Sequence, residues 1–173
     1  MKSDLGKKLP PLEVANAIIA IAYEANSPVS HLKLQKLVYY AHGWWLALTD
    51  EPLINESIAA WRYGPVVESL YHVFKHFGAA PIYATEPSVT PEGEIHIPLI
   101  SKDDTTRWSF LKKIWEIYGR YDAVALSSMT HKEGTPWQET MNKYGPSGGP
   151  IDDELIKKYF KDVAARGKKD QTA

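Results

Sequence analysis

The chain has 173 residues, 44% hydrophobic and 24% charged, with a formal net charge of -1, which fits one soluble globular domain large enough to bury its own core. It has no cysteine, which excludes disulfides, thiol catalysis and thiolate metal sites, and its near-neutral charge argues against nucleic acid as a partner. No apolar run approaches the ~20 residues of a membrane span, and Met1 to Lys8 lack a secretory signal's apolar stretch, so a cytoplasmic protein is expected.

Leu12 to Asn26 carry apolar residues at Val14, Ile18, Ile21, Ala22 and Ala25, a helical period broken by Asn26-Ser27-Pro28. Ser30 is placed to cap a second helix running to Thr49. In it, Leu34, Leu37, Val38, Ala41, Trp45 and Leu48 fall within a sector of about 100°. Lys33, Lys36, Tyr40 and Trp44 lie on one flank of that sector, and Gln35, Tyr39 and His42 on the other. Large side chains on most of the circumference predict a helix packed on several sides at the centre of the fold.

Thr49 to Pro52 close that helix, and Leu53-Ile54 with Ile58 to Trp61 read as extended, a small hairpin. Gly64-Pro65 is expected to open a third helix, with Val66, Leu70, Val73, Phe74 and Phe77 as its stripe and Gly78 as its end. From Ala79 to Ser101 the period fails, and the segment reads as an irregular excursion with a second hairpin turning at Glu92-Gly93 before an edge strand. Helices return over Asp104 to Tyr118 and Asp122 to Met129. Thr135-Pro136-Trp137-Gln138 then has the cap, the first-turn proline and the capping-box glutamine of a short helix ending near Tyr144. Gly145 to Pro150 form a break, and Asp152-Asp153-Glu154 start a last helix packed through Leu155, Ile156, Tyr159, Phe160 and Val163. The fold class is therefore mainly α, a compact multi-helix domain with one or two short β-hairpins, spanning residues 1–166 before a disordered polar tail at 167–173.

No catalytic constellation emerges. His72 and His76 share a helix face and could give two metal ligands, with His96 and His131 as third candidates only if the fold gathers them. A metal-dependent hydrolase built on these histidines is the enzymatic alternative, against a solvated helix face. His131 with Glu133, Ser127 or Ser128 could form an acid–base or nucleophile pair, but residues so close in a turn more often serve as caps. Asp152-Asp153-Glu154 suit a helix start better than a divalent cation. Lys157, Lys158, Lys161, Arg166, Lys168 and Lys169 read as a solvated basic face, with a partner- or RNA-touching role as the alternative. The glycines form no phosphate-binding pattern, so neither cofactor nor metal is expected. Tyr40, Trp44, Trp61, Arg62 and Tyr63 sit beside the main stripe or on the extended segment, and residues of these types anchor protein interfaces.

Leu34-Gln35-Lys36-Leu37-Val38-Tyr39-Tyr40-Ala41, Ala60-Trp61-Arg62-Tyr63-Gly64-Pro65-Val66-Val67, Leu70-Tyr71, Leu126-Ser127 to His131-Lys132-Glu133, Pro136-Trp137 and Pro150-Ile151 resemble, in order, the Panacea domain family. That family includes SocA-like antitoxins and GepA-like phage-associated proteins. The resemblance, from about Val14 to Phe160, implies a mostly helical, non-enzymatic antitoxin of a toxin–antitoxin system, found on bacterial chromosomes, prophages and phages. Its implied partner is a cognate toxin, encoded nearby and neutralised by direct protein–protein contact. A proteolytic adaptor that delivers the toxin to a ClpXP-type protease is the alternative the family carries. A DNA-binding module fused ahead of Leu12 is not expected, and the motifs do not themselves identify toxin-contacting residues.

Overall fold

The computed structural model describes residues 6–172, with side chains through residue 169; the expectations for Met1 to Leu5 and Ala173 lie outside the described residues. Along the chain run α1 (Pro11–Glu24), β1 (Val29–Ser30), α2 (His31–Thr49), β2 (Ile58–Trp61), β3 (Gly64–Val66) and α3 (Glu68–Phe74), which tightens into a 3-10 turn at Lys75–Phe77. Then come β4 (Pro81–Ile82), β5 (Ser88–Val89), β6 (Ile95–His96), α4 (Thr105–Tyr118), α5 (Ala123–Thr130), α6 (Pro136–Tyr144), β7 (Pro150–Ile151) and α7 (Asp153–Thr172). The architecture is mainly α, with the strands confined to small antiparallel pairings.

Local chemistry starts most of these helices. Ser30, Asp104, Asp122 and Thr135 each accept a hydrogen bond from the backbone N–H three residues on, satisfying a donor the first helical turn leaves free. Gln138 completes the arrangement at α6 by accepting from the Gly134 N–H, one residue before the cap.

Helix α2 is buried without interruption from Leu34 to Gly43, with α1, α4, α5 and α7 packed around it. Its closest approach to α7 depends on Gly43, where an added Cβ would fall 2.1 Å from the Phe160 ring. Leu48, in the apolar sector by angle, is exposed because it lies past the packed stretch that ends at Leu46. The excursion is moored to α1 by Asn16, a fully buried amide. Its Nδ2 donates to the carbonyls of Glu86 and Pro98, each at 2.9 Å, and its Oδ1 accepts from the Glu86 N–H.

The strands depart most from expectation. Gly64-Pro65 does not open a helix: it forms β3, antiparallel to β2 with Trp61 opposite Gly64, and α3 begins only at Glu68. Hydrogen-bond partners supplied from α2 hold the segment extended, and Gly64, at φ 110°, is in a region that favours glycine. Leu53-Ile54 pair with Leu9 rather than with β2. β7 adds a third strand beside β2, and β1 pairs with β4; neither was expected from the sequence, because two-residue strands carry no period of their own. The second hairpin is present as β5–β6. Helix α7 continues to Thr172, through most of the stretch read as a disordered tail.

Candidate functional site

The signature stretches, scattered over more than a hundred residues, converge on the β2–β3 hairpin. From α2, the buried Gln35 acts as a surrogate strand: its Nε2 donates to the Val67 carbonyl at 3.1 Å, and its Oε1 accepts the Val67 N–H at 2.9 Å. Lys36 reaches beneath the same segment and donates to the Pro65 carbonyl at 3.0 Å. Burial pushes the Lys36 amine down to about 7, because an unpaired ammonium loses its hydration there.

The hairpin tip is held from the opposite side. Trp137 Nε1 donates to the Trp61 carbonyl at 2.7 Å, His131 Nε2 lies 3.2 Å from the Arg62 carbonyl oxygen, and Ser127 Oγ donates to the Tyr63 carbonyl at 2.8 Å. The His131 ring packs on Trp137 with centroids 3.8 Å apart, and its Nδ1 faces the Ser127 carbonyl oxygen at 2.6 Å. On the outer edge, Pro150-Ile151 pair with Ala59 and Ile58. Three successive tip carbonyls are thus engaged by α5, the turn after it and α6, while the Arg62 and Tyr63 side chains are left outside.

Tyr63 borders a shallow groove of about 650 Å³ lined also by Leu32, Val124, Ser127, His131 and Lys132, among others. Tyr63 is 65% and Val124 70% exposed, with the Arg62 guanidinium 5.5 Å from the Tyr63 ring centre. A rigid backbone under exposed tyrosine, arginine and valine side chains suits a protein-binding surface, since little ordering remains to be done on association.

Of the five residues predicted to bind a partner, the structure groups Trp61, Arg62 and Tyr63 on this tip and separates the other two. Trp61 is half-buried, its ring 4.9 Å from Tyr71. Tyr40, one turn along α2 from Lys36, is buried and stacked on Tyr118 at 4.2 Å, so it belongs to the core. Burial raises its hydroxyl well above the ordinary tyrosine range. Trp44 is half-buried, donating from Nε1 to the Tyr118 hydroxyl at 2.7 Å and packing on Phe160. Both face α4 and α7, whose contacts no single-helix pattern displays. Leu32, Val124 and Lys132 were not anticipated, whereas Gln35 and Lys36 had a visible signal: two polar residues bracketed by Leu34 and Leu37 in an apolar helix.

Among the described residues no three histidine, aspartate or glutamate side chains gather as a metal-holding group. His72 and His76 stand on an exposed surface. Ser127 Oγ and His131 Nε2 are engaged with the hairpin carbonyls, and His131 Nδ1 with the Ser127 carbonyl. In the acidic triplet, Asp152 accepts from the Glu154 N–H, Asp153 meets the buried His42 Nε2 at 2.8 Å, and Glu154 pairs with Lys157. Lys161 of the basic cluster pairs with Asp50.

The family model described as "Antitoxin SocA-like, Panacea domain" matches residues 34–138, which hold the clamp that Gln35 makes on Val67, the tip and its supports from α5 and α6. The chain belongs to the SocA-like Panacea family. It is 31% identical over 153 residues to a protein named Antitoxin SocA from Caulobacter vibrioides (strain NA1000 / CB15N), covering 86% of this chain and 80% of that one. No solved structure matches this Panacea domain. Among the described residues no helix is long and apolar enough to cross a membrane.

Proposed function

We propose that this Panacea domain is an antitoxin that neutralises a cognate toxin, encoded in an adjacent gene, by direct protein–protein contact through the β2–β3 tip and the groove beside it. The convergence of the signature residues on that hairpin carries the reading: they fix its backbone and leave Arg62 and Tyr63 outside. Family membership supplies the antitoxin role and accords with a non-enzymatic protein. Mechanistically, Tyr63 and Val124 would anchor the toxin surface, with Arg62 and Lys132 at the rim, and the toxin's working face would be covered in the complex.

Co-expression with the protein encoded next door tests this, scoring growth and copurification. Rescue with a stable complex supports sequestration, and rescue with disappearance of the partner favours the proteolytic adaptor. A partner that is neither toxic nor bound removes the antitoxin reading for this copy. Tyr63→Ala and Arg62→Ala should each weaken the complex by about 2 kcal/mol without lowering thermal stability; rescue and affinity left intact in both would move the contact surface elsewhere.

A further inference from the structure

We propose that Lys36 is a proton-operated strap on the β2–β3 hairpin: uncharged it holds the hairpin down on α2, and charged it shifts the hairpin toward an open state, regulating the surface that carries Arg62 and Tyr63. The proposal rests on the preceding reading for its biological use, not for its physics.

Lys36 is fully buried in the second turn of α2, and the groups over its amine are the backbone of Gly64-Pro65 and the Thr130 hydroxyl. A Cβ on Gly64 would lie 2.7 Å from Nζ and 2.9 Å from Thr130 Oγ1, so the hairpin closes directly onto the amine. Thr130 Oγ1 donates to the Ser127 carbonyl and brings no negative charge. On Lys36's own helix, the titratable group that feels its charge is His31, itself lowered by burial and then by Lys36 and His76. From β3 and α5 the facing groups are the uncharged Pro65 carbonyl, Gly64 and Thr130; Arg62 and His131 lie beyond them at the tip.

Among the described residues no carboxylate contributes to the state of this amine; burial pulls it to about 7. An ammonium there must be hydrated, and lifting Gly64-Pro65 is the move that admits water. With Lys36 titrating at about 7 when covered and near 10.5 when hydrated, the opening equilibrium rises about thirtyfold from pH 8.5 to pH 6.

The test uses the full chain alone. Lysine side-chain NMR follows the Lys36 titration, and hydrogen exchange follows the Val67 amide and the Trp137 indole N–H, which bond to Gln35 and to the Trp61 carbonyl. Lys36 should titrate apart from the other lysines, and protection of both protons, corrected for intrinsic exchange, should fall about thirtyfold from pH 8.5 to pH 6. In Lys36→Met that pH dependence should vanish; if this variant does not fold, the wild-type titration and exchange decide alone. A Lys36 titrating with the surface lysines, or protection independent of pH, overturns the strap and leaves the antitoxin reading standing. A working strap in a protein that binds no toxin would instead remove the antitoxin reading.

Discussion

Replacing Gln35 with leucine tests the central claim of the site, that one amide substitutes for a β-strand. The side chain is 2% exposed and makes both of its hydrogen bonds to the main chain of Val67. Leucine has a similar volume and leaves little void, but it strands a buried N–H and a buried C=O at about 1–3 kcal/mol each. Added apolar burial returns about 1 kcal/mol. The net loss should be about 3 kcal/mol, or a fall in melting temperature of about 6–12 °C for a chain of this size. Urea unfolding gives the free energy, and hydrogen exchange at the Val67 amide gives its location. Gln35→Glu is the companion variant: one carboxylate oxygen can still accept the Val67 N–H, while the other faces the Val67 carbonyl. It should therefore be destabilised less at low pH, where the carboxyl is protonated and donates. A loss below about 1 kcal/mol in Gln35→Leu, with Val67 protection unchanged, would refute the clamp.

Gly64→Ala should cost about 2 kcal/mol or more in urea unfolding, since it combines a positive φ with a Cβ placed 2.7 Å from Lys36 Nζ. Gly43→Ala should cost about 2–4 kcal/mol by forcing α7 off α2, and Phe160→Leu in the same chain should recover part of it, which a double-mutant cycle reads. Lys36 binds its proton more weakly folded, at about 7, than unfolded, near 10.5, so between those values the unfolded chain holds more protons and stability rises with pH. Wild-type stability minus that of Lys36→Met should therefore grow by about 2 kcal/mol from pH 6.5 to pH 8.5; a flat difference would mean that Lys36 stays charged in the folded chain throughout.

The positions of most helices are written locally. Ser30, Asp104, Asp122 and Thr135 cap the first turns that follow them, and each bond is made within three residues, where sequence spacing is spatial distance. The central place of α2 was also legible, since large side chains around a whole circumference leave no face for solvent. The exposed tip residues were half legible: residue type drew attention to Tyr40, Trp44, Trp61, Arg62 and Tyr63 alike. Tyr40 was withdrawn into the core by Tyr118 and its neighbours on α4 and α7, while Arg62 and Tyr63 were left outside.

By itself, then, the sequence determined a mainly α chain, its caps and its central helix, because backbone propensity and helical period act over a few residues. Tertiary structure alone decided that Gly64-Pro65 is a strand, that Gln35 and Lys36 point at it, and that Ser127, His131 and Trp137 grip its tip. Each of those outcomes depends on a hydrogen-bond partner dozens of residues away. A buried polar group settles where a distant backbone group needs it, and no local pattern records that need.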